Sequence, residues 1–206
     1  MAALVVADVA ARGVAEDQLR QRVTSRLESS GSEVGGPVSA GISSFPFLGR
    51  LLVSGTISQV NVAVHDLTVR GVTFASVGVE LRAVRIDRDS LVQDRRVALA
   101  GIGRGTAVVE ISGDEVSRLV GVPVVLEDGR ARVRVGGVLV TVAARVEGST
   151  LVLAAGGVTL PAIDIPPLPL VACVSGAEIL PGRLRLTCTL DQVPVELAGR
   201  SLQVQL

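Results

Sequence analysis

The side chains able to do acid–base or nucleophilic chemistry are few and scattered. The one histidine, His65, ends the run Val60-Asn-Val-Ala-Val-His65. It falls on the side opposite Val60, Val62 and Val64, which makes it a solvated strand residue rather than a general base. Asp87-Arg88-Asp89 brings two carboxylates together, but no third acidic or histidine ligand stands at a metal-site spacing, so a solvated turn is expected. Gly101-Ile-Gly-Arg-Gly105 has the glycines of a phosphate-cradling loop. It lacks the following Lys-Ser/Thr and the strand–turn–helix setting, and it reads as a bulged strand. No G-x-S-x-G elbow occurs, and no motif marks the two positioned carboxylates that glycoside hydrolysis needs. The expectation is therefore no catalytic residue, no metal and no cofactor. Cys173 and Cys188 remain. An even count suits a single disulfide and an oxidising compartment, with two buried thiols as the alternative. A bridge would close a loop of roughly 15 residues, worth about 3 kcal/mol in chain-entropy terms.

The elements that must carry these groups are mostly strands. Leu19, Val23 and Leu27 recur at i, i+4 and i+8 and predict a helix over 8–29. Val5 and Val9 extend that face backwards, Arg12 and Glu16 interrupt it, and Gly13 weakens it, so the pattern is firmest over 15–27. Beyond Ser29-Ser30-Gly31, apolar and polar residues alternate with period two at 60–65, 77–83, 130–146, 183–190 and 202–206. Asp128-Gly129 and Gly136-Gly137 mark tight hairpins, so 122–160 reads as an antiparallel meander with one apolar face and one carrying Arg130, Arg132 and Arg134. Ser112-Gly-Asp-Glu115 fits a capping box for a short helix over 113–120, stopped by Gly121. Ser44, with Pro46 in the first turn, opens another near 44–53. The four prolines of 161–170 suggest an extended crossing segment. A turn at Pro181-Gly182 pairs Leu180 with Arg183 and leaves Cys188 diagonal to Cys173, about 7 Å away. A disulfide prefers about 5.5 to 6 Å, so that bridge needs a bulge or a register slip.

Composition narrows the function classes. The chain has 206 residues, expected to form a single domain, and its 20 basic residues, all Arg, balance 20 acidic ones. Without a net basic field or aromatic stacking platforms, nucleic acid is not an expected partner. No uncharged apolar run reaches the ~18 residues of a membrane-spanning helix. Yet 48% of the chain is apolar and its mean hydropathy is +0.54, almost all of it from Ala, Val, Leu and Ile. A long sheet with an aliphatic face must cover that face, and one helix covers only part of it. The remainder can close as a filled core, bind a protein partner, or line a cavity. A smooth Val/Leu surface suits acyl chains, which ask for volume and dispersion contact.

The segment Ser43-Ser-Phe-Pro-Phe-Leu-Gly-Arg-Leu-Leu-Val-Ser-Gly55 resembles the F-P-F-L…L-L…G signature of the actinobacterial LmeA-type phospholipid-binding family. The Val60-Asn-Val-Ala-Val64 strand, the run from Val77 to Val84, Asp89-Ser-Leu91 and Val109-Glu-Ile-Ser112 are similar to that family too. The resemblance covers most of 8–206 and is strongest over 8–120. It implies an α+β, mostly β fold of the TULIP type: a long curved antiparallel sheet wrapped around the N-terminal amphipathic helix, leaving an apolar groove. It also implies a lipid-binding envelope protein, exported and membrane-anchored. Family members carry an anchor or signal before the helix, where this chain has only Leu4-Val5-Val6-Ala7, read as the remnant of a leader or anchor over 1–7. The absence of Lys suits a high-GC genome. Carried over, the motif places Phe45, Phe47, Leu48, Leu51 and Leu52 at the groove mouth. Leu19, Val23 and Leu27 would form one wall, and Val60, Val62, Val64, Val77, Val79 and Leu81 the other. Arg50 is the candidate for a lipid phosphate. The expected partners are phospholipid and a membrane surface, with a non-catalytic structural or protein-interaction module of the envelope as the alternative.

Overall fold

The computed structural model describes residues 2–87, 89–90, 96–127, 129–135, 137–147, 150–155, 158–159, 162–166, 175–193 and 204–205. A long helix, α1 (Ala2–Ser29), comes first. It starts at Ala2 rather than at Asp8, because residues 2–11 hold no Gly or Pro and half of them are Ala, the strongest helix former. Strands β1 (Glu33–Val34) and β2 (Val38–Ser43) follow, then α2 (Phe47–Ser54) and the long strands β3 (Thr56–Val69), β4 (Val72–Asp87) and β5 (Arg96–Ser112). After α3 (Gly113–Val120) come β6 (Val124–Glu127), β7 (Arg130–Val135), β8 (Val138–Glu147), β9 (Thr150–Ala155), β10 (Val158–Thr159) and β11 (Ile163–Asp164). The last strands are β12 (Gly176–Leu180), β13 (Arg183–Val193) and β14 (Val204–Gln205).

Among the described residues all the strand pairs are antiparallel and form two sheets. The larger runs β1-β3-β4-β5-β13-β12, with β2 also on β3 and β14 on β5; the smaller is the expected meander, β10-β9-β8-β7-β6. The fold is α+β and mostly β, with the helix against a large open antiparallel sheet. Of the 161–170 segment, residues 162–166 are described and depart slightly from an extended crossing; the rest of it lies outside the described residues. Ile163 and Asp164 pair with Leu151 and Thr150, away from the prolines that cannot donate. The Leu180–Arg183 pairing holds as far as Gly176 opposite Thr187.

The long strands are not uniform ribbons. In β3 the buried phase passes from Ile57 to Val60 and Val64, then shifts to Leu67 and Val69. Asp66 and Ala83, at φ 50° and 51°, sit where the phase changes. Such residues re-aim side chains and increase twist without ending a strand. Gly103 fits opposite one of these kinks, since a Cβ there would lie 2.9 Å from that of Ala83. Near Arg85 and Ile86 the register with β5 slips, placing a bulge next to Gly101 as the glycine-rich run suggested.

Two hydrophobic clusters result. The larger packs Leu27 and Val23 of α1 against Val64, Leu67, Phe74, Val77, Ile111 and Leu186, and is closed by α3 and the inner face of the meander. The smaller holds Ile42, Phe47, Ile57, Val60, Val84 and Ile86, beside Ala11, Ala15 and Leu19 of α1. Helix α3 is capped by Ser112, whose Oγ accepts from Glu115 N–H at 3.2 Å. The capping box is only half formed. The Glu115 carboxylate instead accepts from Thr73 N–H at 2.8 Å and pairs with Arg118, tying the helix to the β3–β4 hairpin.

Candidate functional site

The motif helix is held by a residue outside the motif. Pro46 occupies the cap position of α2 in an extended conformation and offers no side-chain acceptor. The first amides of α2 donate instead to Asp8 of α1, Phe47 N–H to Oδ2 at 2.9 Å and Leu48 N–H to Oδ1 at 2.7 Å. One buried carboxylate thus satisfies two orphan donors and faces the positive end of the helix. Ser44, expected to be the cap, is buried, and its Oγ has no hydrogen-bond partner among the described residues. With Pro46 at the cap, Ser44 lies too far back to reach the first turn. The sequence signal for Asp8 was its solitude: an acid within a run of Ala, Leu and Val must find donors if it is buried. A second tie lies further along α1, where Glu16 accepts the Ile42 N–H at 2.8 Å and pairs with Arg12 at 3.6 Å. Gly55, left-handed at φ 62°, closes α2 at its other end.

Held this way, α2 turns Phe47 inward and lays Leu48 and Leu51 against the smaller cluster, where Leu81 and Leu19 also pack. Leu52 and Val53 on its outer side are 56% and 75% exposed, and Phe45 just before it is 66% exposed. Arg50, also exposed, donates from Nη1 to Ser58 Oγ at 2.8 Å.

The structure brings together only some of the residues expected around a groove. Phe47, Leu48, Leu51, Leu19, Val60 and Leu81 meet at this end. Leu27, Val64 and Val77 are sealed in the larger cluster with Val23, and Val62 packs against it half-buried. Val79 is half-buried on β4, while Phe45 and Leu52 face solvent. An open cleft of about 610 Å³ lies elsewhere, between the edge strands β1–β2 and Arg20, Gln21, Thr24, Ser25 and Glu28 of α1. None of the expected lining residues borders it.

Asp8, Arg12, Glu16 and Arg50 are titratable groups placed at this end; others make contacts of their own. His65 is exposed. Asp87 accepts from Ser90 Oγ and Asp89 N–H in a local turn, and these bonds lower its pKa. Glu110 of β5 binds Arg183 and Arg185 of β13, each at 2.9 Å. Partial burial pushes its pKa up, but the hydrogen bonds from Arg185 and Arg183 outweigh that and hold it below the usual value. Glu115 is likewise lowered, first by Arg118. Among the described residues no cluster of His, Cys, Asp or Glu is arranged to hold a metal ion, and no helix is long and apolar enough to cross a membrane. Cys188 is buried on β13 and is disulfide-bonded; Cys173, its expected partner, lies outside the described residues.

The fold and this end define a β-rich protein whose most distinctive surface is apolar, built from a pinned helix over a small aliphatic cluster. A family model described as LmeA-like phospholipid-binding matches residues 6–189, and the chain belongs to that family. No curated protein and no solved structure matches it.

Proposed function

We propose that this single-domain protein binds phospholipid acyl chains at the α2 end, and carries or presents phospholipid in the cell envelope without catalysing a reaction. The observation that carries the reading is the pairing of α2 with the smaller cluster. A packed aliphatic cluster of Ile42, Ile57, Val60, Val84 and Ile86 lies under a short helix, and that helix also exposes Leu52 and Val53 to solvent. An acyl chain entering beside α2 exchanges one set of aliphatic contacts for another at little loss of burial. Arg50, exposed on the same helix, suits a lipid phosphate. Family membership supports phospholipid as the ligand. Export to an oxidising compartment is supported by the bonded state of Cys188, and anchoring to the membrane is part of the same reading.

Native mass spectrometry of the purified chain tests it, with phospholipid expected to co-purify. Leu51→Arg should strip most of that load while leaving the circular dichroism spectrum unchanged. A lipid-free wild-type protein that also fails to take up phospholipid from micelles would sink the proposal.

A further inference from the structure

We propose that Arg12 of α1 and Ser44, just before α2, together form a seat for the acyl ester carbonyl of a bound phospholipid. This rests on the carrier reading of the same end and deepens it, but it can fail separately. Asp8, Arg12 and Glu16 recur at i, i+4 and i+8 and share one face of α1. The outer two are anchored on a single stretch of chain. Asp8 accepts the Phe47 and Leu48 amides, and Glu16 accepts the Ile42 amide. Arg12 stands between these anchors on the helix, and Ser44 stands between them on the facing segment, so the two come level. Along that segment Ile42 is buried, Ser43 exposed, Ser44 buried and Phe45 exposed. The alternation turns the Ser44 side chain to the same side as Ile42, toward the smaller cluster.

Each of the two carries a buried polar atom left over. Ser44 is 5% exposed, and among the described residues neither its Oγ nor Arg12 Nε has a hydrogen-bond partner. Glu16 Oε1 lies 3.6 Å from that Nε, close enough for attraction but too far for a hydrogen bond. The same oxygen already accepts the Ile42 N–H. Two unsatisfied polar atoms beside an aliphatic cluster cost free energy unless a partner from outside the chain meets them. The Arg12 side chain is 40% exposed although its Nε is buried, so the guanidinium runs from the surface inward to that point.

The chemistry selects the partner. Nε–H can only donate and a hydroxyl can donate, so the partner is an acceptor. A phosphate or a free carboxylate is disfavoured, because Asp8 and Glu16 set two carboxylates against one guanidinium. A neutral acceptor fits, and an acyl ester carries one at the point where its hydrocarbon chain begins. With the carbonyl between Arg12 and Ser44, that chain starts beside Ala11, Ala15 and Ile42, in the smaller cluster.

The test offers the full chain mixed micelles with equal amounts of diacyl phosphatidylcholine and its dialkyl ether analogue of the same chain length, which lacks the carbonyls. Native mass spectrometry reads which lipid is bound. The wild type should prefer the diester by about tenfold, the worth of one hydrogen bond to a charged donor. Ser44→Ala and, separately, Arg12→Met should each abolish that preference, with thermal melts checking the fold. Lipid-free Ser44→Ala should melt no lower than the wild type, since it removes an unsatisfied hydroxyl rather than a bond. Equal uptake of the two lipids by the wild type overturns the seat and leaves the carrier reading standing. A preference that survives either substitution overturns the joint seat. A lower melting temperature of lipid-free Ser44→Ala with an unchanged preference assigns the two atoms to a bridging water only, and overturns the seat as well. Failure to take up either lipid overturns the carrier reading and the seat with it.

Discussion

The larger cluster has a sealed centre, where Leu27, Val64, Leu67 and Phe74 expose no surface, although its rim reaches 8%; the six buried residues of the smaller cluster each keep between 4% and 9%. Both clusters are aliphatic, and both use the same helix and the same long strands. They differ in what covers them. The larger is sandwiched between α1, the main sheet, α3 and the meander, so nearly every apolar contact is made by an element locked into a sheet or capped at its own ends. The smaller is covered by eight residues of helix whose first turn depends on one carboxylate from another element. Close packing in the first region makes rigidity; a short cover whose first turn hangs on one carboxylate makes an element suited to local opening. Under the proposed function, the contrast places stability at one end of the molecule and ligand exchange at the other.

The contrast is broken most directly at its stable end. Phe74→Ala should lower unfolding free energy by ~3–5 kcal/mol, read by urea denaturation, while the lipid carried per folded molecule stays the same. A collapse of lipid load at unchanged stability would reverse the assignment. Asp8→Ala should have a smaller effect on stability, ~1–2 kcal/mol for the lost cap. Its signature is local: faster hydrogen exchange at the Phe47 and Leu48 amides, and faster transfer of a fluorescent phospholipid, with the amides of β4 and β5 still protected. Unchanged exchange at those two amides would mean that α2 does not depend on Asp8.

The smallest effect concerns acid. The pKa values of Glu110 and Glu115 are lowered in the folded state by their arginine partners. Their contribution is therefore full above the ordinary glutamate range and disappears as pH falls through it toward the lowered values. The arginines are partly exposed, which keeps the contribution modest. Denaturation of Glu110→Gln should show a weaker fall of stability on acidification than the wild type, and an identical slope would remove Glu110 from the account.

Much of the fold was legible in the sequence because it is written locally. Period-two alternation placed the strands, the paired turn residues placed the meander, and Leu19, Val23 and Leu27 placed the inward stripe of α1. Ser112 and Gly121 bounded α3. These signals depend on neighbours within a few positions, where backbone geometry alone decides the outcome. The F-P-F-L block carried the resemblance that led to the right family. The wall residues were less legible. Alternation marks which side of a strand is apolar, but the same Val64 or Val77 can face a groove or a closed core.

Tertiary structure made the remaining decisions. It sealed Val64 and Val77 in the larger cluster with Val23 and Leu27 of α1, and left Ile57 and Val84 under α2. It moved the cap of α2 from Ser44 to Asp8, 39 and 40 positions from the amides it binds. In each case the deciding contact joins segments far apart in the chain. A buried carboxylate takes the strongest unsatisfied donors within reach, and only the folded arrangement determines which donors those are.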